Sequence, residues 1–344
     1  MRVLVYSDLQ AKEGGERLRA DTSQSLQHWR VDRFFSEVDR IKQEQRCTAV
    51  WDLGDATDDR NNISLKTLSL MGSGHRRLCV GTQPVTNFKL IGNHEQYVKN
   101  AQVHAGNAFL PWFNIIDEMA VFDLGRVIVV AAAFPADPAV TFTWVEQTLA
   151  RLATRGKKII LLGHFSLTGA KMASGDATGM AVGVAEMADL ALFGHIHRPQ
   201  TLGNYTHYVG SPFQQDFGEA DEAKRVAVLD TDTLDLTWHA LTGFPRYYNV
   251  TGEEFSKLGN LGEDRYRVTL RSPEEAAIFY AHPGSHDTET VYAYETQAKV
   301  AEKGETGSVV DTAWMMRQYV ADRPLDGFTE SEILAAGEAI MTGE

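Results

Sequence analysis

Five short blocks of the sequence combine carboxylate, amide and imidazole side chains. They are Asp8, Gly54-Asp55, Gly92-Asn93-His94-Glu95, Gly163-His164 and Gly194-His195-Ile196-His197. These ligand types together suit manganese, iron, zinc and similar ions. A pair of such ions needs at least one carboxylate that bridges them, with separate ligands on each side. The blocks therefore predict a two-metal centre, with Asp55 as the bridge and with His195 and His197 each able to serve a different ion.

The blocks lie just past apolar stretches that are typical of buried strands. The predicted strands are Arg2–Ser7, Ala49–Leu53, Phe88–Ile91, Arg126–Ala133, Lys158–Leu162 and Leu190–Phe193. Between them, apolar residues at helical spacing predict helices at Ser25–Gln45, Thr143–Thr154 and Met180–Met187. In open α/β sheets, sites assemble from the loops at the carboxyl ends of the strands. We therefore expect the five blocks to meet at one sheet edge.

The pattern of the sequence changes after Gly243, and we predict four segments. A catalytic domain is followed by a small α+β domain with strands near Phe244–Val250, Tyr266–Leu270 and Thr290–Tyr294 and a helix at Pro273–Tyr280. A charged, glycine-containing linker then leads to two helices, one at Val309–Val320 and one that opens with a capping-box sequence at Thr329. The predicted boundaries are 1–243, 244–301, 302–308 and 309–344.

Composition limits the classes of function. The formal net charge of −13 argues against a stand-alone nucleic-acid binder. A nuclease is not excluded, because two divalent cations at the predicted centre would restore about four positive charges. Cys47 and Cys79 are the only cysteines and imply no disulfide framework. The apolar runs are too short to span a bilayer and the N-terminus lacks a signal-peptide pattern, so we predict a cytosolic protein with no membrane partner.

The five blocks, in this order and each after a strand, resemble the calcineurin-like metallophosphoesterase superfamily. The resemblance implies an α/β fold, with a β-sandwich flanked by helices. In this chain we expect a small α+β capping domain and C-terminal helices in addition.

The same resemblance implies roles for the residues of the blocks. One metal would be held by Asp8, Asp55 and His197, and the other by Asp55, Asn93, His164 and His195. His94 would lie beside the pair without binding a metal, contact the scissile phosphate and protonate the leaving oxygen as a general acid. Asp58, shortly after Asp55, is predicted to support the loop or a neighbouring site residue.

Gln10 departs from the family pattern, which places a metal-binding histidine two residues after the first aspartate. Its amide oxygen is a neutral and weaker donor than imidazole. Three outcomes stay open: Gln10 ligates weakly, it holds a metal-bound water, or the first site is partly empty. Weak or water-mediated ligation is favoured. Manganese, with magnesium as the alternative, would tolerate this oxygen donor better than zinc, so we predict two divalent cations, manganese first.

A second resemblance concerns the substrate. The segment Tyr208–Glu219 follows the histidine pair and resembles the Gly-Ser-Pro…Phe-Gly-Glu segment of SbcD-type DNA exonucleases. That family shares the layout of catalytic domain, capping domain, linker and helical segment. The resemblance implies exonuclease and endonuclease activity on DNA, with an SbcC-like coiled-coil ATPase as partner and a homodimer within a heterotetramer. The short length and Gln10 suggest a divergent member such as a phage could encode, acting in the host cytoplasm.

Two other functions stay open from sequence. One is a superfamily enzyme for small phosphodiesters, nucleotides or phosphoproteins, which would need neither the Tyr208–Glu219 segment nor the C-terminal appendages. The other is an inactive scaffold, which only Gln10 supports, since a scaffold has no need for His94, His195 and His197. The helices predicted after Val309 could dock on the ATPase or pack on their own domain.

Overall fold

The structure is a computed structural model that describes residues 1–13, 25–60, 62–97, 103–109, 111–259, 261–285 and 288–293. Two units can be distinguished. The first comprises the described residues of Met1–Asn249 and Leu258–Arg267, and the second comprises Val250–Lys257 and the described residues from Val268 onward. The predicted linker 302–308 and helical segment 309–344 lie outside the described residues. The four domain boundaries therefore stay predictions.

The first unit contains two six-stranded sheets, and the first of them carries the N-terminal strand. Its neighbouring strands, in spatial order, are β14 (Leu236–Ala240), β13 (Arg225–Asp230), β1 (Arg2–Tyr6), β2 (Ala49–Asp52), β3 (Phe88–Leu90) and β4 (Asn114–Ile116). Strands β1 to β4 run parallel; β13 pairs antiparallel with β1, and β14 pairs antiparallel with β13 at the edge.

The second sheet has a parallel centre with one antiparallel strand at each edge. Its strands, in spatial order, are β11 (Gln200–Leu202), β12 (Thr206–Tyr208), β10 (Leu190–Gly194), β7 (Lys158–His164), β6 (Val127–Ala132) and β5 (Met119–Asp123).

Alternating side chains show that the two sheets pack face to face. Val3 and Val5 of β1 belong to a buried cluster that also includes Val129 of the second sheet, whereas Leu4 lies in a cluster on the opposite face. Successive strand residues point to opposite faces, so one set fills the space between the sheets and the other packs outward. The predicted β-sandwich is confirmed.

Helices cover the outward faces of both sheets. The helices of this unit are α1 (Leu26–Glu44), α2 (Leu65–Leu78), α3 (Pro138–Leu152) and the short α4 (Val182–Ala185). Phe34 of α1 packs in the outer cluster of the first sheet, and Val145 of α3 packs in that of the second. The fold is therefore an α/β sandwich flanked by helices, as the sequence predicts.

Helix α3 begins five residues before its predicted start at Thr143. Asp137 is its N-cap, and the side chain accepts hydrogen bonds from the backbone N–H groups of Ala139 and Val140. Pro138 occupies the first helical position, where its missing N–H costs nothing. The cap and the proline therefore start the helix before the stretch whose apolar spacing predicts it.

Smaller elements complete the described part of the chain. A hairpin is formed by β8 (Lys171–Met172) and β9 (Gly175–Asp176), and a three-stranded sheet by β15 (Tyr247–Thr251), β16 (Arg265–Leu270) and β17 (Glu289–Tyr292), with helices α5 (Gly252–Ser256) and α6 (Pro273–Tyr280). This α+β composition agrees with the prediction for the residues after 243. Among the described residues, no helix combines the length and apolar character that crossing a membrane requires.

Candidate metal centre

The C-terminal ends of β1, β2, β3, β7 and β10 carry the five blocks, and the loops after these strands are joined by hydrogen bonds. The backbone N–H of His195 donates to both carboxylate oxygens of Asp8, at 3.0 and 3.1 Å. The backbone N–H of His94 donates to Asp55 Oδ1 at 2.8 Å. Asp8 N donates to the carbonyl of Gly54 at 2.9 Å. Distant parts of the sequence therefore converge in one cluster.

Asp55, His164 and His195 form the centre of this cluster. Each offers one ligand atom, and these atoms all lie within 4.8 Å of one another. His164 Nδ1 donates to the carbonyl of Leu53 at 2.6 Å, which turns Nε2 toward Asp55 Oδ2, 3.3 Å away. This buried Nε2 forms no hydrogen bond with any described residue. A nitrogen fixed through its second ring atom and left without a partner suits a metal ligand, so these residues fit a cation.

The charge states of Asp55 and His195 agree with this interpretation. Burial acts to raise the pKa of Asp55, but the adjacent His164 lowers it below its ordinary value. Burial and the neighbouring His164 lower the pKa of His195 to about 3, so its imidazole is neutral near pH 7. His195 Nδ1 donates to Asn93 Oδ1 at 2.8 Å, which places the predicted amide ligand in the same group. A carboxylate and a neutral imidazole are the forms that bind metal ions.

His197 and Asp8 are predicted, together with Asp55, to hold the first metal. His197 Nδ1 donates to Glu219 Oε1 at 2.6 Å, and this carboxylate also contacts Lys224 Nζ at 2.6 Å. Burial acts to lower the pKa of His197, but Glu219 and the charge of Asp8 raise it. A carboxylate behind the Nδ1 of a histidine fixes the ring and directs Nε2 into the cluster. Glu219 lies in the segment singled out above, but sequence reasoning gave it no role in the site.

Gln10 contacts His197 directly. Its Nε2 donates to His197 Nε2 at 2.9 Å, and its side chain is 7% exposed. The residue that replaces the family's histidine therefore belongs to the cluster, while the three outcomes for it stay predictions. Each of the eight predicted site residues contacts at least one other of the eight. Their roles as metal ligands or as the general acid also stay predictions.

We expect the Gln10→His variant to bind the first cation more tightly than the wild type, because an imidazole is a stronger donor than an amide oxygen. Changes to groups that only support a ligand already shift affinity by about 10–100-fold, so an effect of at least about tenfold is expected. Titration of the metal-free protein with Mn²⁺, followed by calorimetry, measures it. An unchanged affinity for both ions would show that residue 10 does not bind the metal directly.

The backbone of this region takes a conformation that most residues avoid. Among the described residues, six non-glycine residues have positive φ, and four of them belong to the site: Asp8 (55°), Gln10 (48°), Asp55 (53°) and His195 (82°). Such conformations cost of order 1–3 kcal/mol each and gather at functional sites. The surrounding sheets and hydrogen bonds hold these turns in place.

His94, the predicted acid, is held by Asp58. His94 Nδ1 donates to the carbonyl of Asp58 at 3.0 Å and lies 3.1 Å from Asp58 Oδ1, while Lys12 Nζ contacts Asp58 Oδ2 at 2.6 Å. The hydrogen bond that His94 donates to the Asp58 carboxylate raises the pKa of His94 to about 9, although partial burial acts to lower it. His94 also lines the cleft over the cluster. A protonated imidazole at the cleft surface can act as a general acid near pH 7.

The contact with Asp58 gives a testable pH dependence. A general acid works while it is protonated, so a raised pKa keeps His94 competent at higher pH. We expect Asp58→Asn to shift the alkaline fall of kcat toward lower pH. The pH profile of hydrolysis of a phosphodiester with an alkoxide leaving group, which needs a proton to leave, measures the shift, with the exposed neighbour Asp59→Asn as control. Identical alkaline limbs in wild type and Asp58→Asn would contradict the assignment.

A buried chain of charges lies beneath the site. Glu95 Oε2 accepts hydrogen bonds from the backbone N–H groups of Asp55 and Gly92, both at 3.1 Å. Lys89 Nζ contacts Glu95 Oε1 at 2.7 Å and Asp52 Oδ2 at 2.9 Å, and these three charged side chains are at most 1% exposed. Burial acts to raise the pKa of Asp52, but Lys89 and a histidine of α2 lower it to about 2. Glu95 therefore joins the loop after β2, which carries Asp55, to the loop after β3, which carries Asn93.

Sequence reasoning gave no role to this buried chain of charges. A lysine in the middle of the apolar strand β3 was the available signal, since a lysine is almost never fully buried unless it is paired. Its partners could have been sought at the end of the adjacent strand β2, where Asp52 lies, and in the loop after β3, where Glu95 lies.

We expect Glu95→Gln to lower the free energy of unfolding by about 3–5 kcal/mol, because it leaves the Lys89 ammonium with one buried partner fewer. Metal affinity should fall by about 10–100-fold, since the two loops lose a fixed acceptor. Urea unfolding and Mn²⁺ titration measure the two effects. Glu37→Gln, which breaks the exposed pair with Arg40, is the control and should change neither. Wild-type metal affinity in Glu95→Gln would overturn the positioning role.

The cluster opens into a cleft of about 310 Å³. The cleft is lined by residues of the β8–β9 hairpin, by residues of the segment 216–222 and by six of the predicted site residues: Gln10, Asp55, Asn93, His94, His195 and His197. Every ligand type expected for two divalent cations is present at its base. The site thus fits the cations that the sequence predicts.

The model of the calcineurin-like phosphoesterase family matches residues 1–199. This range contains all five blocks and more than half of the chain. The chain belongs to this family. Calcineurin-like phosphoesterases hydrolyse phosphoesters with divalent metals, typically two, and the cluster at the sheet edge is where this chain would hold them.

Three solved structures that a structural comparison matches to this calcineurin-like phosphoesterase have low sequence identity to it. A dimetal phosphatase from Danio rerio is 9% identical, with 70% of this chain and 99% of that chain covered and a TM-score of 0.46. The phosphoesterase Yfce from E. coli is 11% identical, with 70% and 100% covered and a TM-score of 0.33. A glutamine-dependent NAD⁺ synthetase from Acinetobacter baumannii is 10% identical, with 97% and 70% covered and a TM-score of 0.30. No curated protein matches the sequence significantly.

Proposed function

We propose that this phosphoesterase is a metal-dependent DNA nuclease subunit of the SbcD type, with exonuclease and endonuclease activity and with manganese as its preferred ion. One observation carries the proposal. The segment Tyr208–Glu219, which resembles SbcD-type exonucleases, contributes Glu219 to the metal centre through the 2.6 Å contact with His197. A segment that resembles nucleases is therefore part of the site rather than a distant loop.

The residues of the site divide the chemistry between them. When bound, the two cations would bind phosphate oxygens and make a water nucleophilic enough to attack the phosphorus. Asp8, Asp55, Asn93, His164, His195 and His197 would hold them, with Gln10 beside the first. His94, whose Nδ1 is occupied by Asp58, presents its other ring nitrogen for the leaving oxygen. Proton donation from His94 would complete cleavage of the phosphodiester.

Our proposal extends to the partner. An SbcC-like coiled-coil ATPase would share the binding of DNA, which is consistent with a net charge of −13 on this chain. The helices predicted after Val309 would dock on it, and two copies of each chain would form the assembly, acting in the cytoplasm. A variant that lacks 303–344 should lose binding to the ATPase in a pull-down assay and keep hydrolysis of small esters. Unchanged binding would remove this part of the proposal.

Two substrates assayed side by side test the proposed activity. We expect Mn²⁺-dependent hydrolysis of bis-p-nitrophenyl phosphate together with degradation of linear double-stranded DNA. Hydrolysis of the dye ester without cleavage of DNA, even with the ATPase supplied, would favour an enzyme for small phosphodiesters, nucleotides or phosphoproteins. Absence of both activities in every divalent metal would favour an inactive scaffold.

A further inference from the structure

A second cavity lies beside the metal centre and is bordered by an aromatic residue that also contacts the centre. The Phe134 ring centre lies 5.4 Å from that of His195 and 6.4 Å from that of His164. Phe134 also lines a cavity of about 230 Å³. This volume is below the about 300–1,000 Å³ of pockets for drug-sized ligands, so the cavity suits a small ring system. A group bound there would be one aromatic ring away from a predicted metal ligand.

Hydrogen bonds between neighbouring loops fix the wall of this cavity. Phe134 N donates to the carbonyl of Ile91 at 2.9 Å, and the Phe134 carbonyl accepts a hydrogen bond from Gln96 Nε2 at 3.1 Å. Ala133 N donates to the carbonyl of Glu118 at 2.8 Å. The wall is therefore joined to the loop after β3, which carries the predicted general acid.

The side chains that line the cavity offer mainly hydrogen-bond acceptors. Gln96 is 6% exposed, and because its Nε2 donates to a carbonyl, its Oε1 is left as an acceptor without a partner in the described chain. Glu118 is exposed, and its carboxylate forms no ion pair or hydrogen bond with a described residue. Asp117 and Asp137 also line the cavity, whereas no lysine or arginine of the described residues does.

Two of the three carboxylates already have contacts. Asp137 Oδ1 accepts the first N–H groups of α3, and Asp117 Oδ2 lies 3.6 Å from Nε2 of the buried His104. Both still add negative potential at the rim, which disfavours a phosphate in the cavity. Glu118 is therefore the carboxylate with both oxygens available, and the cavity favours a ligand that presents N–H donors.

Guanine presents two adjacent donors, N1–H and its exocyclic amine, and a single carboxylate can accept both. Enzymes that act on an unstacked base read it by hydrogen bonds to its Watson–Crick edge and by stacking on aromatic side chains. We propose that the cavity binds the guanine base of a nucleotide whose phosphate lies at the metal centre. Glu118 accepts N1–H and one amine hydrogen, Gln96 Oε1 accepts the other, and the base packs on Phe134. This inference deepens the proposed nuclease function and rests on its nucleotide substrate.

Competitive inhibition of bis-p-nitrophenyl phosphate hydrolysis tests the cavity. The full-length, Mn²⁺-loaded protein is assayed with deoxyguanosine monophosphate, thymidine monophosphate and inorganic phosphate as inhibitors, and each nucleotide is used as its 5′ and its 3′ phosphate. We expect the inhibition constant of the guanine nucleotide to lie about 5–150-fold below that of the thymine nucleotide, the range for a two-point contact with a base edge. Inorganic phosphate, which carries no base, is the reference inhibitor.

The first variant removes the carboxylate that reads the base. Glu118→Gln should lose most of the preference for guanine, because an amide replaces one acceptor by a donor, and should leave the inhibition constant of phosphate unchanged. Glu146→Gln is the matched control, since Glu146 is an exposed carboxylate of α3 that does not line the cavity. An unchanged preference for guanine in Glu118→Gln would overturn this contact.

The second variant fills the cavity from α3. Val140 is 58% exposed and lines the cavity, whereas its exposed neighbour Ala139 does not. Val140→Trp should weaken both nucleotides by about 5–150-fold, the range for loss of base stacking, and should leave phosphate unaffected. Ala139→Trp should behave like the wild type, and circular dichroism checks that both variants are folded. Equal inhibition constants in the two tryptophan variants would overturn the cavity as the base site.

The outcome separates this inference from the nuclease function. If the wild type degrades linear DNA while guanine and thymine nucleotides inhibit it equally, only the base site fails. If the preference for guanine depends on Glu118 but linear DNA is not degraded, the nuclease function fails and the base site stands for small nucleotides. If neither the preference nor DNA degradation is observed, both fail.

Discussion

Replacement of His94 by alanine is expected to lower kcat by about 10²–10⁴-fold, the usual contribution of a general acid, and to leave both metal sites filled. The reason is geometric. His94 Nδ1 is occupied by Asp58, and the side chain lies beside Asp55 without belonging to the group of converging ligand atoms. The variant therefore loses a proton donor and no ligand.

Two measurements on the same sample test this expectation. Metal content per chain is determined by elemental mass spectrometry, and turnover is followed both with linear DNA, where the full loss is expected, and with bis-p-nitrophenyl phosphate. A substrate whose leaving group needs no proton should be affected less than DNA, because the acid matters most for a poor leaving group. Loss of metal from His94→Ala would refute the role of this residue as an acid.

Replacement of Asp55 by asparagine is expected to remove most bound metal and, with it, nearly all activity. Asp55 is the predicted bridge, and its Oδ2 lies 3.3 Å from the unpartnered Nε2 of His164. Asparagine preserves the shape of the side chain and tolerates the positive φ of 53° at this position. The substitution therefore isolates the effect of the carboxylate charge.

Asp58→Asn is the matched control, since Asp58 contacts His94 and Lys12 and no predicted ligand. Metal content should stay at the wild-type level in the control and fall in Asp55→Asn. Circular dichroism shows whether each variant is folded. A fully loaded Asp55→Asn protein would exclude this carboxylate as the bridge.

Much of the fold followed from local patterns. Apolar strands that end in glycine and a polar residue predicted the parallel strands and the edge where the blocks meet. Helix α2 was not predicted, because Gly72 and Gly74 interrupt its helical pattern. The structure gives the reason for Gly74: a Cβ there would lie 2.2 Å from the Phe35 ring of α1. A tertiary contact between helices therefore outweighs helix propensity at this position.

The site could be predicted less completely than the fold. Residue types and order identified the eight candidates because each block carries its own signature. The supports of the site have no local signature: Glu95 reaches Asp55 across 40 positions, and Glu219 reaches His197 across 22. Such pairs depend on how strands are placed beside one another, which a single sequence does not specify.

The left-handed turns at positions 10 and 195 bear on how this chain could change under selection. Glutamine is poorly suited to positive φ and histidine is less suited to it than glycine, whereas glycine and asparagine adopt it at little cost. A lineage selected for stability alone would drift toward glycine or asparagine at both positions. Directed evolution for thermal robustness should therefore find these substitutions early and lose hydrolysis with them, whereas a screen that demands catalysis should reject them.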